Sequence, residues 1–393
     1  MKKVFCGVLI VLVFIACGTD RPEVDVPASA VLVLTGAALI DGTGADPLDD
    51  AVLAIDGNGE IVLVGQGEPR GIPETAVRID AGDATILPGF INAHVHDAFS
   101  GERLEAWARA GITTVRDEAI LDANAELADL IARRDSQWQD PRYARLITAG
   151  WMITAAGGYG WIGVESEAAA RDFVNREIDE GADQIKVAVE DGIAGQTNRP
   201  VLPTAFLQAI VTEAHARGVP VSAHVTDSRF LETAVNCGVD DAAHATWDRA
   251  ADAVFQQMIA RGIIMVPTLT VFDAYGSLAG AAENVRRFAT LGGTVALGND
   301  YTAIPQNRFD HFELGMPLHE IECMSRAGMS PMQIIVAATR NAAQACGLSD
   351  ELGTLATGKT ADILVVKGNP LDRLDALADV RLVVHRGVII RRE

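Results

Sequence analysis

Between residues 86 and 350, short apolar runs alternate with segments of helical periodicity, and this rhythm restricts the possible folds more than any other feature of the chain. Strand-like runs occupy 86–96, 111–117, 145–154, 183–189, 219–225, 240–245, 262–269 and 294–300. Between them lie stretches such as EAAARDFVNREIDEG and TAFLQAIVTEAHARG, in which apolar residues recur on one helix face, the second closing on Gly218. Parallel neighbours in a sheet need a long crossover, usually a helix, so the alternation predicts an α/β fold with a parallel sheet under helices. Eight such units over about 260 residues have the length and rhythm of a (β/α)8 TIM barrel. A doubly wound open sheet is the alternative, but no GxGxxG or GxxxxGK[ST] motif marks a strand-to-helix turn in its favour.

The two ends have a different texture. Residues 31–85 (VLVLTGAALI, DDAVLAID, EIVLVGQG, AVRIDA) and 351–393 (GTLATGKTADILVVKG, VRLVVHRGVII) read as strands broken by Gly, Asp and Pro. They predict one small β-sandwich domain assembled from both chain ends around a barrel spanning 86–350. Residues 1–17, MKKVFCGVLIVLVFIAC, place Lys2 and Lys3 before an apolar run too short for a spanning helix, the layout of an export signal. FIAC resembles a bacterial lipobox, with Phe14 where Leu is usual; a signal cut elsewhere and a retained anchor are the alternatives. On the lipobox reading Cys17 carries a lipid and residues 18–30 are a tether. The protein is then exported to the periplasm or cell envelope, and that anchor is its membrane contact.

Charge narrows the partners. The chain has 53 acidic against 32 basic residues, a net −21 spread along its length, which argues against nucleic-acid binding but not against a cation or a small-molecule substrate. A homo-oligomer is left open. Five cysteines without a CxxC pair suggest neither a disulfide framework nor a thiolate zinc site, so a metal centre would use His, carboxylate or modified side chains.

In FINAHVHDAF, residues 90–99, His94 and His96 stand two apart on a strand and therefore point to one face. In a barrel the C-terminal strand ends form the active-site rim. His94 and His96 end the first strand, Lys186 lies in the fourth, His224 ends the fifth, His244 the sixth and Asp300 the eighth. Singly, a strand histidine is usually a core residue and a strand-end Asp a helix cap; jointly they point to metal binding. Lys186, an ammonium within an apolar strand, is driven toward the neutral amine. A neutral amine can add carbon dioxide, and the carbamate can bridge two cations; pairing with an acid such as Glu190 and a Schiff-base nucleophile are the alternatives.

LPGFINAHVH resembles the first-strand motif of the amidohydrolase superfamily. GITTVRD, GADQIKV, VSAHV, LGND and AGMSPMQIIVAATRNAAQACGLSDELGTLATGKTADILVVKGNPL resemble, in order, later blocks of its imidazolonepropionase and prolidase-like branch, over roughly residues 31–393. The resemblance implies a binuclear centre, usually zinc: His94 and His96 on the buried ion, His224 and His244 on the more exposed one, and carboxylated Lys186 bridging both with a hydroxide. It also implies that Asp300 ligates the buried ion and is the catalytic proton shuttle in hydrolysis of an amide C–N bond of a dipeptide, N-acyl amino acid or cyclic amide. Three positions depart from the pattern: Asn299 where Thr or Ser is usual, Ala243 in place of a carboxylate, and Tyr159 in place of His. Tyr159, Trp161, Arg199 and Tyr301 are the candidate substrate contacts, while Trp151 and Trp247 are weaker wall residues. Arg116 reads first as a structural ion pair, His215 and His385 as structural, and His311 and His319 stay unassigned. Two rivals remain. One is a mononuclear deaminase of the same superfamily, which needs a Glu near the fifth-strand His that VSAHVTDS does not supply; the other is a catalytically silent binding lipoprotein.

Overall fold

The computed structural model describes residues 22–122, 124–160, 162–192, 198–303 and 312–393; the segment expected to be an export signal, with Cys17, and Trp161 and His311 lie outside them. Among the described residues no helix is long and apolar enough to cross a membrane.

Two parallel arcs of strand carry the middle of the chain. One orders Arg145–Thr148, Ile112–Asp117 and Phe90–Val95; the other orders Ile162–Val164, Met152–Ala155, Ile185–Ala188, Val221–His224, Asp241–Ala243 and Ile264–Val266. Nearly every residue of these strands is buried, as expected where a parallel sheet is covered on both faces. The intervening helices begin and end where the local chemistry directs. Ser166 caps Glu167–Glu180 by accepting from the Ala169 amide, and Gly181 ends it in the left-handed conformation at φ 104°.

The ladders do not close into a ring by themselves. The expected third strand is broken between Thr148 and Met152, because the Glu177 carboxylate of the covering helix reaches in and accepts from the Trp151 amide at 3.0 Å. Only glycine fits at 150, where φ is 68° and a Cβ would lie 2.8 Å from that carboxylate. The expected eighth strand is not a regular strand either: residues 294–301 make isolated bridges, Met265 to Val295 and Val95 to Tyr301. A few backbone hydrogen bonds span the gap, among them those from the Ala296 amide to Met265 O (2.9 Å) and from the Ala93 amide to Leu297 O (2.8 Å). Gly298 packs so closely there that a Cβ would meet His94 Cβ at 2.6 Å, so the eighth segment lies directly against the first-strand histidine.

Both chain ends build one eight-stranded sheet. Its order is Val388–Arg392, Val380–His385, Ile363–Lys367, Ala84–Pro88, Ala30–Leu39, Leu48–Asp56 and Ile61–Gln66, with Val77–Asp80 beside Ala30–Leu39. Alternation puts Leu32, Leu34, Leu53 and Ile55 in one apolar cluster and Val33, Val52 and Ala54 in another. Residues 23–25, expected within a tether, instead pair in parallel with Glu68–Arg70, and Val26 is buried behind them. Their backbone groups find partners in the chain itself, so this stretch is part of the fold.

A buried polar cluster fastens the sheet to the barrel. Arg145 of the third barrel strand pairs with Asp362 and donates to His385 Nε2 at 3.1 Å, and His385 Nδ1 donates to Pro141 O at 2.8 Å. Burial, reinforced by the Arg145 and Arg386 charges, holds His385 down to about 4 against the pull of Asp362. An unfolded imidazole takes up its proton near the ordinary value, so between pH about 6.5 and 4 the unfolded chain binds more protons and stability falls as pH falls. The His385→Gln variant is expected to lose a share of order 3 kcal/mol of that decline, read as a flatter dependence of unfolding free energy on pH between 7 and 4.5. An unchanged slope would exclude His385 as its source.

Candidate metal centre

The strand ends bring five of the six singled-out residues into one connected cluster. Asp300 Oδ1 lies 3.2 Å from His94 Nε2 and 3.0 Å from His96 Nε2. His94, His244 and Asp300 each offer a ligand atom within 4.8 Å of the others. The His94 ring stands 4.9 Å from that of His244, and His244 Nε2 faces His224 Nδ1 at 2.8 Å. Non-glycine residues with positive φ gather at this rim: Asp97 (58°), His244 (107°), Thr268 (46°) and Asp300 (56°). Such conformations cost free energy and persist where surrounding contacts impose them, commonly at functional sites.

Three of the four imidazoles, those of His96, His244 and His224, are aimed by their second nitrogen. His96 Nδ1 donates to Ala119 O at 3.0 Å, leaving Nε2 for Asp300. His244 Nδ1 meets Thr268 Oγ1 at 2.7 Å, leaving Nε2 toward His224. His224 Nε2 meets Glu190 Oε1 at 2.7 Å, leaving Nδ1 toward His244. Glu190 is itself held, accepting from the Thr226 amide at 2.7 Å. Outer carboxylates and hydroxyls of this kind fix tautomer and ring orientation in metal sites. Glu190 therefore partners His224 and not Lys186, and no carboxylate at 243 is needed for that purpose. Asn299 is explained similarly: its Oδ1 accepts from Asn92 Nδ2 at 2.7 Å, which locks the eighth segment to the first strand beside His94.

The electrostatics suit a cation. Burial holds His94 down to about 4, and burial with neighbouring His224 and His94 holds His244 well below the ordinary value, so both are neutral and free to donate lone pairs. Burial opposes the charge on His96 too, but its hydrogen bond to Asp300 and that carboxylate's charge outweigh it and raise the group to about 9. Burial alone would raise Asp300; the charges and hydrogen bonds of His94 and His96 instead hold it well below the carboxylate range. His94 Nδ1 is buried with no hydrogen-bond partner among the described residues. A negatively charged oxygen with converging imidazoles is the donor set of a zinc-class ion, so the residues fit a metal.

Lys186 is buried in the fourth strand, and its Nζ donates to Glu118 Oε2 at 2.5 Å. Glu118 belongs to a buried network of residues from neighbouring strands. It pairs with Arg116 Nε at 2.8 Å and accepts from Ser222 Oγ at 2.8 Å, while Arg116 Nη1 reaches Asp241 at 2.7 Å and Gln184 at 3.0 Å. Arg116 is thus a structural ion-pair residue. Sequence reasoning passed over Glu118, although its alternation with Thr114 and Arg116 on one face was readable.

Of the expected substrate contacts, Tyr159 stacks on His224 at 4.7 Å, and Arg199 lies over the Tyr159 ring at 5.9 Å, exposed at the mouth. Tyr301 is turned elsewhere: it packs edge-on against Trp107 at 5.2 Å within the core cluster, so the substrate role is withdrawn. Trp161 lies outside the described residues. Trp247 is exposed, Trp151 packs on the core, and His215 bonds Asp240 at 2.8 Å.

The amidohydrolase family model matches residues 85–390. The chain is 26% identical over 377 residues to the imidazolonepropionase of Symbiobacterium thermophilum, covering 84% of this chain and 85% of that protein. It is 24% identical over 423 residues to the ochratoxinase of Aspergillus niger, covering 90% and 85%. A crystal structure of a Xaa-Pro dipeptidase with bound methionine superposes with a TM-score of 0.79 at 22% identity, over 92% of this chain and 99% of that one, a likeness of fold.

Proposed function

Because the chain belongs to the amidohydrolase family and so is a hydrolase of C–N bonds, we propose that it cleaves the amide bond of a dipeptide, N-acyl amino acid or cyclic amide at a binuclear metal centre. The observation that carries this reading is the convergence of His94, His96, His244 and Asp300, with His224 facing His244, at one mouth of the strands. His94, His96 and Asp300 would hold the buried ion, and His224 and His244 the outer one, with a Lys186 carbamate between them. Divalent ions there, zinc by preference, would acidify water and polarise the scissile carbonyl. Asp300 would take the proton from the attacking water and pass it to the leaving nitrogen. Tyr159 and Arg199 flank the outer side, where an arginine suits a substrate carboxylate. We also propose export, with lipid attached at Cys17.

A mononuclear reading has two observations in its favour. Lys186 is engaged by Glu118, whose negative charge opposes a second anion on the same Nζ, and Glu190 sits on His224, supplying the carboxylate that a deaminase needs near the fifth-strand His. Metal content of wild type and Lys186→Ala, with turnover on dipeptides, N-acyl amino acids and aminated heterocycles, separates the two. The binuclear reading expects one ion fewer per chain in the variant and release of a free amino acid from the acylated substrates. An unchanged metal count with ammonia release would replace it by the mononuclear one.

A further inference from the structure

A second convergence of donors lies on the helices that follow the seventh strand and the eighth segment. His319 Nε2 is 2.9 Å from Asp273 Oδ2 and 3.6 Å from Cys323 Sγ, and all three ligand atoms lie within 4.8 Å of one another. His319 and Cys323 are four apart on Leu318–Arg326 and so share one helix face; Asp273 comes from Leu269–Ala274. One Nε2 proton gives its short hydrogen bond to Asp273 and leaves the sulfur with only a weak contact at 3.6 Å, whereas one cation can be bound by all three. Nitrogen, sulfur and carboxylate oxygen together are the donors of a tetrahedral zinc-class ion. Burial is graded in the way such a site requires. The Cys323 side chain is fully enclosed, His319 is 13% exposed and Asp273 33%, so the carboxylate side is the one solvent reaches most.

We propose that Asp273, His319 and Cys323 form a further metal site, separate from the barrel centre, that binds Zn2+ or Co2+ and clips these two helices together. Their junction matters to the barrel centre. Glu320, on the same helix as His319 and Cys323, accepts from the Leu269 and Thr270 amides at 2.8 and 2.7 Å, and the preceding Thr268 holds His244 Nδ1. An ion at the clip would steady the residue that aims His244.

The test uses the full chain, stripped by chelator and titrated with Co2+. The barrel donors are nitrogen and oxygen, so a near-ultraviolet thiolate-to-cobalt charge-transfer band can arise from this cluster and not from that centre. Wild type is expected to develop the band with one ion per chain, and Cys323→Ser to lose it. Asp273→Asn, which keeps the thiol and changes a partly exposed residue, is expected to need at least about tenfold more Co2+ for the same band. Should Cys323→Ser fail to fold, the Asp273→Asn shift decides alone. Visible cobalt absorption from the barrel centre without the thiolate band, a band that survives Cys323→Ser, or an unshifted titration of Asp273→Asn would each overturn the site. None of these readouts depends on turnover, so the hydrolase reading and the clip stand or fall separately.

Discussion

Asp300→Asn is expected to lower kcat on the best amide substrate by on the order of 10²–10⁴-fold, the range for loss of a positioned general acid–base. The substitution is close in shape, and Asn tolerates the left-handed backbone that residue 300 adopts at φ 56°. The backbone bond from the Asp300 amide to His94 O needs no side chain, so the local path of the chain should be kept. What disappears is the negative charge on which His94 and His96 both converge, and with it the group proposed to carry the proton. Steady-state kinetics of metal-loaded wild type and variant, with metal content measured on both, check this. A variant with normal metal content and more than about a tenth of wild-type kcat would remove Asp300 from proton transfer.

In the metal-free protein, where Lys186 carries no carbamate, Glu118→Leu is expected to produce the largest loss of stability, about 3–5 kcal/mol, measured by denaturant unfolding. The carboxylate is fully enclosed between the Arg116 guanidinium, the Lys186 ammonium, Gln184 and Ser222, and those two charges hold it well below the usual carboxylate range despite burial. Leucine fills a similar volume but strands Lys186 without its partner and leaves Arg116 with Asp241 and Gln184. Leaving a buried charge uncompensated is what makes removal of one partner so costly. A loss under about 1 kcal/mol would mean that water reaches the network and screens it.

The parts of this protein legible in the sequence are those encoded by neighbours in the chain. Period-two alternation put His94 and His96 on one face, helical spacing marked Glu167–Glu180 and Thr204–Ala216, and the β-rich texture of the ends marked the strands that share one sheet. The strand-helix alternation likewise gave the parallel architecture, because crossover length is a local property. What folding alone decided is which side chains from distant strands meet. Glu190 could be placed on the inner face from alternation, yet its partner was open until the register paired Ala188 with His224 and carried the carboxylate past Lys186 to the imidazole. Lys186 found Glu118, 68 positions away, for the same reason. Tyr301 and the eighth segment show the converse: residues that looked like a strand end with an outward ring were bent by close packing at Gly298 and the turn at Asp300, and the ring was drawn onto Trp107. Local periodicity fixes the face a side chain leaves from; its partner depends on strand register and packing between segments remote in sequence, which are properties of the whole fold.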